Sequence, residues 1–327
     1  MFDQYGRKID YMRISVTDRC NLRCKYCMPE DGISSVGCHE EMLTYEELVR
    51  LCRLFAGLGI KKIKITGGEP LVRLDVCTLI RQIKAIEGIE QVTITTNGVL
   101  LEQMADELIA SGIDGINISL DTLREEKFAQ ITRRNRLNDV LRGIDALLEK
   151  GFSRIKINCV PLVGVNEDQI AELALFAKKH PIAIRFIELM PIGYGTEYMA
   201  IHRDEVMEKI EAVYGKLSPS KDQLGNGPAQ YYSLKHFKGR IGFIDAIEHK
   251  FCADCNRVRL MANGFLKLCL QYNFGIDLKE VIRSDASDVY LKKLIEKNIY
   301  RKPQEHHFCE IGKDAASDDR KMFQVGG

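Results

Sequence analysis

Five short segments alternate apolar and polar residues with period two, and helical stretches separate them. That pattern restricts the fold more than any other feature of the chain. In residues 11–16, Met12, Ile14 and Val16 take one side while Tyr11, Arg13 and Ser15, continued by Thr17, take the other. In 61–66, Ile63 and Ile65 oppose Lys62, Lys64 and Thr66, and in 92–96, Val92 and Ile94 oppose Thr93 and Thr95, continued by Asn97. Segment 115–120 sets Ile116, Ile118 and Leu120 against Asn117 and Ser119, continued by Asp121. Segment 154–160 sets Ile155, Ile157 and Cys159 against Lys156 and Asn158, and a sixth strand is expected at 183–188. Helical stretches fall near 74–87, 101–111, 137–150 and 167–179, and Thr44-Tyr45-Glu46-Glu47 reads as a capping box opening a helix with Leu48, Leu51, Cys52 and Phe55 on one face. Strands joined by helical crossovers form a parallel α/β sheet. Eight would close a TIM-like barrel, whereas six predict an open, partial one.

Parallel strands covered on both faces are apolar on both. Here one face meets the helices, so the polar face must line a wet lumen; a merely exposed sheet face conflicts with the helix-rich connections. Arg13, Lys62, Lys64, Lys156 and, from the sixth strand, Arg185 make that lumen cationic and suited to a polyanion such as a phosphorylated nucleotide. Composition agrees with local rather than global recognition. A net charge of +1 over 327 residues gives no basic field for nucleic acid. No apolar run approaches a membrane span, and the N-terminal residues do not read as a signal peptide. Eleven cysteines then predict metal ligation in a reducing cytoplasm rather than disulfides.

Six of those cysteines form two triads. Cys20, Cys24 and Cys27 are spaced C-x₃-C-x₂-C. An iron–sulfur cube held by three cysteines keeps one iron open; zinc wants a fourth ligand, and this loop has none. Gly67-Gly68-Glu69-Pro70 follows the second strand, where glycines admit a ligand close to the backbone and Glu69 can bind an ammonium group. The second triad is Cys252, Cys255 and Cys269. Asn263-Gly264, between strands at 258–261 and 265–268, predicts a hairpin that folds Cys269 back beside the first two. His249 is near enough in sequence to complete a structural zinc site there instead. Arg257 and Arg259 alternate just beyond Cys255 and project to one side, facing a bound anion or solvent. Cys38, Cys52, Cys77, Cys159 and Cys309 belong to neither triad, and Cys52 and Cys159 fall on apolar faces. The stretch 218–228, rich in Ser, Pro, Gly and Asn, places a domain boundary: 1–217 for the partial barrel, 218–327 for an α+β module that closes the lumen.

The three-cysteine loop and Gly67-Gly68-Glu69-Pro70 resemble the radical S-adenosylmethionine (SAM) superfamily. The segments 6–20 and 27–30, Cys252-x-x-Cys255-Asn256-Arg257-x-Arg259, Cys269-Leu270, Lys302-Pro303-x-x-His306 and Gly326-Gly327 narrow the likeness to the GTP 3′,8-cyclase (MoaA) family of molybdenum-cofactor biosynthesis. The resemblance implies two [4Fe–4S] clusters at opposite ends of the lumen, the first chelating SAM and the second taking guanine. It implies a 5′-deoxyadenosyl radical that removes H3′ of GTP, with cyclisation onto C8. Carried over by motif, Tyr26, Gly68, Glu69, Ser119 and Met190 contact SAM. Arg13, Thr95, Lys156, Arg257, Val258 and Arg259 match GTP contacts, beside the lumen cations Lys62, Lys64 and Arg185. Arg13, Lys156, Arg257, Arg259, Gly326 and Gly327 are the expected catalytic set, the two glycines forming a thin tail that enters the site. Two departures stand out: Lys64 replaces an arginine, and Pro191 follows Met190 where an acidic residue is expected. The resemblance also implies a low-potential electron donor, transfer of product to the cyclic pyranopterin monophosphate synthase, and compatibility with a homodimer. The rival readings are a peptide-modifying radical SAM enzyme with an auxiliary cluster, and a zinc-stabilised binding protein without catalysis.

Overall fold

The computed structural model describes residues 1–33, 41–308, 318 and 320–326. Its first strand, β1 (Tyr11–Ser15), is followed by α1 (Tyr45–Gly57), β2 (Lys62–Thr66), α2 (Val76–Lys84), β3 (Gln91–Thr96), α3 (Leu101–Ala110) and β4 (Gly115–Ser119). Next come α4 (Glu125–Thr132), α5 (Leu137–Glu149), β5 (Ile155–Cys159), α6 (Ile170–Lys179), β6 (Ala183–Ile187) and α7 (Arg203–Tyr214). β1 through β6 pair in parallel and in sequence order. The apolar face named above is shut against the helices: Met12, Ile14, Ile65, Val92, Ile94, Ile118, Ile157 and Ile184 are fully buried. α1 opens as expected, with Thr44 Oγ1 accepting from Glu47 N at 3.2 Å and Glu47 Oε2 accepting from Thr44 N at 2.7 Å. Its Leu48, Leu51, Cys52 and Phe55 are wholly inside. α4 was not anticipated; its Phe128 and Ile131 are buried, and its C-terminal carbonyls hold the first cysteine loop.

The last third of the chain extends this same sheet at both edges. It contributes β7 (Ser218–Ser220), β8 (Gln230–Ser233), β9 (Arg240–Ile244), β10 (Arg257–Leu260), β11 (Phe265–Lys267) and β12 (Gly275–Asp277), then α8 (Leu278–Arg283), α9 (Asp288–Tyr300) and α10 (Met322–Val325). β9 lies parallel to β6 and β10 parallel to β1, so eight parallel strands run side by side. The full order is β12-β11-β10-β1-β2-β3-β4-β5-β6-β9-β8-β7, an open sheet of twelve. The stretch read as a boundary holds β7 and then returns over the lumen: a Cβ at Gly225 would lie 3.1 Å from Lys156 Nζ, and Asn226 donates to the Gln91 side chain. No described helix is long and apolar enough to cross a membrane.

Candidate active site

Topology puts the two triads at opposite ends of the lumen. Cys20, Cys24 and Cys27 follow the C-terminal end of β1, beside the turns that leave β2, β4 and β6. Cys252 and Cys255 precede β10, which is parallel to β1, and therefore sit at the N-terminal end. The antiparallel β11 returns Cys269 to that same end.

At the first triad, Arg23 N and Lys25 N donate to the carbonyls of Thr132 and Ile131, anchoring the loop on α4. Cys20 Sγ accepts from Leu22 N at 3.4 Å and from Asn97 Nδ2 at 3.7 Å. Burial, with the Glu69 carboxylate next, pushes the Cys20 thiol up to about 11; burial and then Cys20 push Cys27 to about 12. Cys24 is raised by burial and then by Cys27, so the three thiols feel one another. Thiols so disfavoured as free anions call for a cationic core to bind. Gly68 packs where a Cβ would lie 2.4 Å from the Arg19 carbonyl, so no other residue fits that turn. Glu69 is fully buried. Its Oε1 accepts from Leu71 N at 3.0 Å and Thr96 Oγ1 at 2.7 Å, and its Oε2 accepts from Asn97 N at 2.6 Å. Burial raises it to about 7, and Oε2 keeps one acceptor position. Tyr26 donates to Asp121 Oδ2 at 2.5 Å. Ser119 ends β4 in register with Asn158 and is exposed, while the Met190 carbonyl accepts from Ile192 N at 2.8 Å just after β6.

Between the triads the register lays cations side by side. Arg259, Arg13, Lys64 and Thr93 form one row across β10, β1, β2 and β3, and Arg257, Tyr11 and Lys62 form the row beneath. Thr95, Asn117 and Lys156 align across β3, β4 and β5. Arg185 donates to Asn158 Oδ1 at 2.6 Å and Asn117 Oδ1 at 2.9 Å. Burial, then Arg185, Arg13, Lys156 and Arg257, drive Lys64 well below the usual lysine range, and burial with Arg185 brings Lys156 to about 8. Such a concentration of like charge is relieved by a polyanion. Lys62 differs from its neighbours: Asp10 already pairs with it at 3.1 Å. Val258 is turned into the core, so only its backbone faces this space.

At the second triad, burial opposes ionisation of Cys255, yet Lys302 and Arg257 bring that thiol down to about 7. Burial raises the Cys252 thiol, against the favourable influence of the His306 backbone N–H. A single zinc ion would hold its thiolates roughly 3.8 Å apart, from Zn–S bonds of ~2.3 Å in tetrahedral geometry. The sulfurs of neither triad all lie within 4.8 Å of one another, which fits a multi-iron cluster better than one ion. Among the described residues only Glu188, His202 and Glu248 meet that spacing, and His249 is exposed and faces Asp245 at 3.8 Å. That spacing gives the zinc reading no support.

The C-terminal tail enters the lumen. The Phe323 backbone N–H favours the Cys27 thiolate, and Arg259 Nη1 donates to the carbonyls of Gly326 at 2.7 Å and Val325 at 3.3 Å. Gly327 lies outside the described residues, as do Cys38 and Cys309; Cys52, Cys77 and Cys159 are buried. Sequence reasoning missed the supporting groups: Asp121 beneath Tyr26, Asn97 on Cys20, and the asparagines that aim Arg185. Their only signal was a place on the polar face.

Comparison with known proteins places these features. Residues 14–177 match the Radical SAM superfamily model and 182–308 match Molybdenum Cofactor Synthesis C. A GTP 3′,8-cyclase of Clostridium perfringens (strain SM101 / Type A) is 45% identical over 327 residues, covering 100% of both chains. One from Desulforamulus reducens is 44% identical over 330 residues, again covering 100% of both. Among solved structures, Streptococcus suis SuiB bound to S-adenosylmethionine superposes with TM-score 0.63 at 17% identity, covering 90% of this chain and 68% of that one.

Proposed function

The chain belongs to the radical SAM superfamily and, within it, to the GTP 3′,8-cyclase family of molybdenum-cofactor synthesis, and we propose on that premise how its residues divide the work. It is an enzyme, a lyase that converts GTP to (8S)-3′,8-cyclo-7,8-dihydroguanosine 5′-triphosphate. The observation that carries this reading is the row of lumen cations between two thiol triads of opposite surroundings.

Cys20, Cys24 and Cys27 would hold one [4Fe–4S] cluster with SAM, and Cys252, Cys255 and Cys269 would hold a second. When bound, the first cluster and SAM supply a 5′-deoxyadenosyl radical able to take hydrogen from C3′ of the ribose. Gly68 lets the SAM methionine approach the backbone, the remaining acceptor of Glu69 Oε2 takes its ammonium, and Tyr26, Ser119 and Met190 line the rest. Arg13, Lys64, Lys156, Arg185, Arg257 and Arg259 neutralise the triphosphate, with Thr95 and the Val258 backbone beside them and Lys62 joining if it leaves Asp10. Guanine lies toward the second triad, so C3′ faces the first and C8 is held near it. Gly326 walls the space with backbone alone and excludes water, and Gly327 is assigned to the same tail. We assign residues 1–217 to the SAM part and 218–327 to the part that completes the nucleotide site. The reading includes a cytoplasmic setting, a low-potential electron donor, transfer of product to the cyclic pyranopterin monophosphate synthase, and room for a homodimer.

The test uses GTP deuterated at C3′. Deuterium is expected in 5′-deoxyadenosine; turnover with all the deuterium kept in the nucleotide product rules out this role for the lumen.

A further inference from the structure

Lys302 is buried, and among the described residues no carboxylate balances it. The residue is 2% exposed, its ammonium donates to the carbonyl of Leu268, and among the described residues it makes no ion pair. Lysine is almost never buried unless paired, because an uncompensated ammonium loses its hydration for nothing in return. The other buried cations of this corner obey that rule. Lys267 is paired with Asp318, which also takes Arg320. Arg7 is paired with Asp3 at 2.6 Å, and its remaining donors reach the carbonyls of Cys252 at 2.8 Å, Pro303 at 2.6 Å and Gln304 at 2.5 Å. Among the described buried cations of this corner, Lys302 alone has only a neutral acceptor, one residue before Cys269, and its charge acts on both Cys255 and Cys252. The first triad has the reverse setting, with the carboxylates of Glu69 and Asp121 acting on its thiols.

We propose that Lys302 is the counter-ion of the iron–sulfur cluster held by Cys252, Cys255 and Cys269, and that its charge raises that cluster's reduction potential. The proposal rests on the second cluster assigned above. A doubly positive four-iron core with three thiolates is a net monoanion, and one-electron reduction makes it a dianion. A fixed ammonium beside it stabilises both states and the reduced one more. Lys302 is therefore a positioning residue, acting on the substrate only through the cluster.

The experiment is an EPR-monitored redox titration of the full chain, reconstituted anaerobically with iron and sulfide. It is repeated with Cys20, Cys24 and Cys27 replaced by serine so that one cluster gives the signal. Lys302→Met keeps the buried hydrocarbon and removes the charge. It should lower the ratio of reduced to oxidised second cluster about tenfold at a fixed ambient potential, equal to ~59 mV for one electron. Lys302→Arg should stay near wild type. An unmoved potential in Lys302→Met at full iron content overturns the proposal, as does an equal shift in Lys302→Arg. If Lys302→Met and Lys302→Gln both lose the second cluster's iron, retention in Lys302→Arg supports the counter-ion role and loss there overturns it. A wild-type chain with no iron at this triad would instead overturn the second cluster itself.

Discussion

Replacing Gly326 with alanine tests whether the tail's docked shape matters to turnover. Gly326 has φ 72°, in the left-handed region, and an added Cβ would lie 2.6 Å from Thr66 Oγ1 and 3.3 Å from Ser15 Cβ. The left-handed conformation costs an L-residue about 1–2 kcal/mol. Thr66 cannot turn away cheaply, since it is buried and donates to the Ile14 carbonyl at 3.1 Å. Relieving that overlap adds on the order of 1–3 kcal/mol. Against this stand the two Arg259 bonds and the buried Phe323 and Val325, on a helix too short to persist by itself. Even the smaller combined cost, roughly 2 kcal/mol, lowers the docked population by more than tenfold relative to the undocked one. Hydrogen exchange across Met322–Val325 should quicken, and cyclisation per single turnover should fall in step, with iron content and the thermal midpoint unchanged. Adding Thr66→Ala should recover the part due to overlap and leave the part due to φ. Unchanged exchange and unchanged turnover in Gly326→Ala would refute the argument.

Two further expectations come from the lumen cations. Lys156 is held at about 8, below its usual 10.5, so the empty site loses that charge as pH rises through 8. GTP affinity should fall as pH rises through 8, and Lys156→Arg should reduce that fall; equilibrium binding at several pH values decides, and a flat wild-type profile would count against the assignment. Lys64→Ala should weaken GTP binding by about ten- to a hundredfold, the loss of a charge-assisted bond worth roughly 1.5–3 kcal/mol, while Lys64→Arg is tolerated. Titration calorimetry checks it, and wild-type affinity in Lys64→Ala removes the residue from the site.

Much of this architecture was legible because two simple patterns carry it. Period-two alternation put Arg13, Lys64 and Lys156 on one face, and parallel pairing then brings them into neighbouring rows. Asn263-Gly264 likewise foretold the return of Cys269. What escaped was whatever depends on partners distant in sequence. Lys62 shares its face with Lys64, but only the fold reveals Asp10 beside it. Glu69 is recognisable by motif, yet beside a bond from Leu71 in its own turn it takes two from Thr96 and Asn97 at the end of β3. α4 lacked a recognisable start: Arg124 stands at its N-cap position with no side-chain cap bond. Lys302 was visible within a motif, but nothing local distinguishes a buried lysine from a solvated one.

The pairing of β10 with β1 joins Tyr11 to Arg257, and that of β9 with β6 joins Ala183 to Arg240. During synthesis, the first strand to leave the ribosome therefore waits with one ladder of peptide groups unpaired until more than three quarters of the chain has followed. Such an open margin is a template for wrong partners. Arg13 on β1, with Lys62 and Lys64 on β2, would serve the nascent chain as well as the finished enzyme, because their mutual repulsion discourages edge-to-edge association of two incomplete copies until the segment that carries Arg257 and Arg259 arrives to cover the gap.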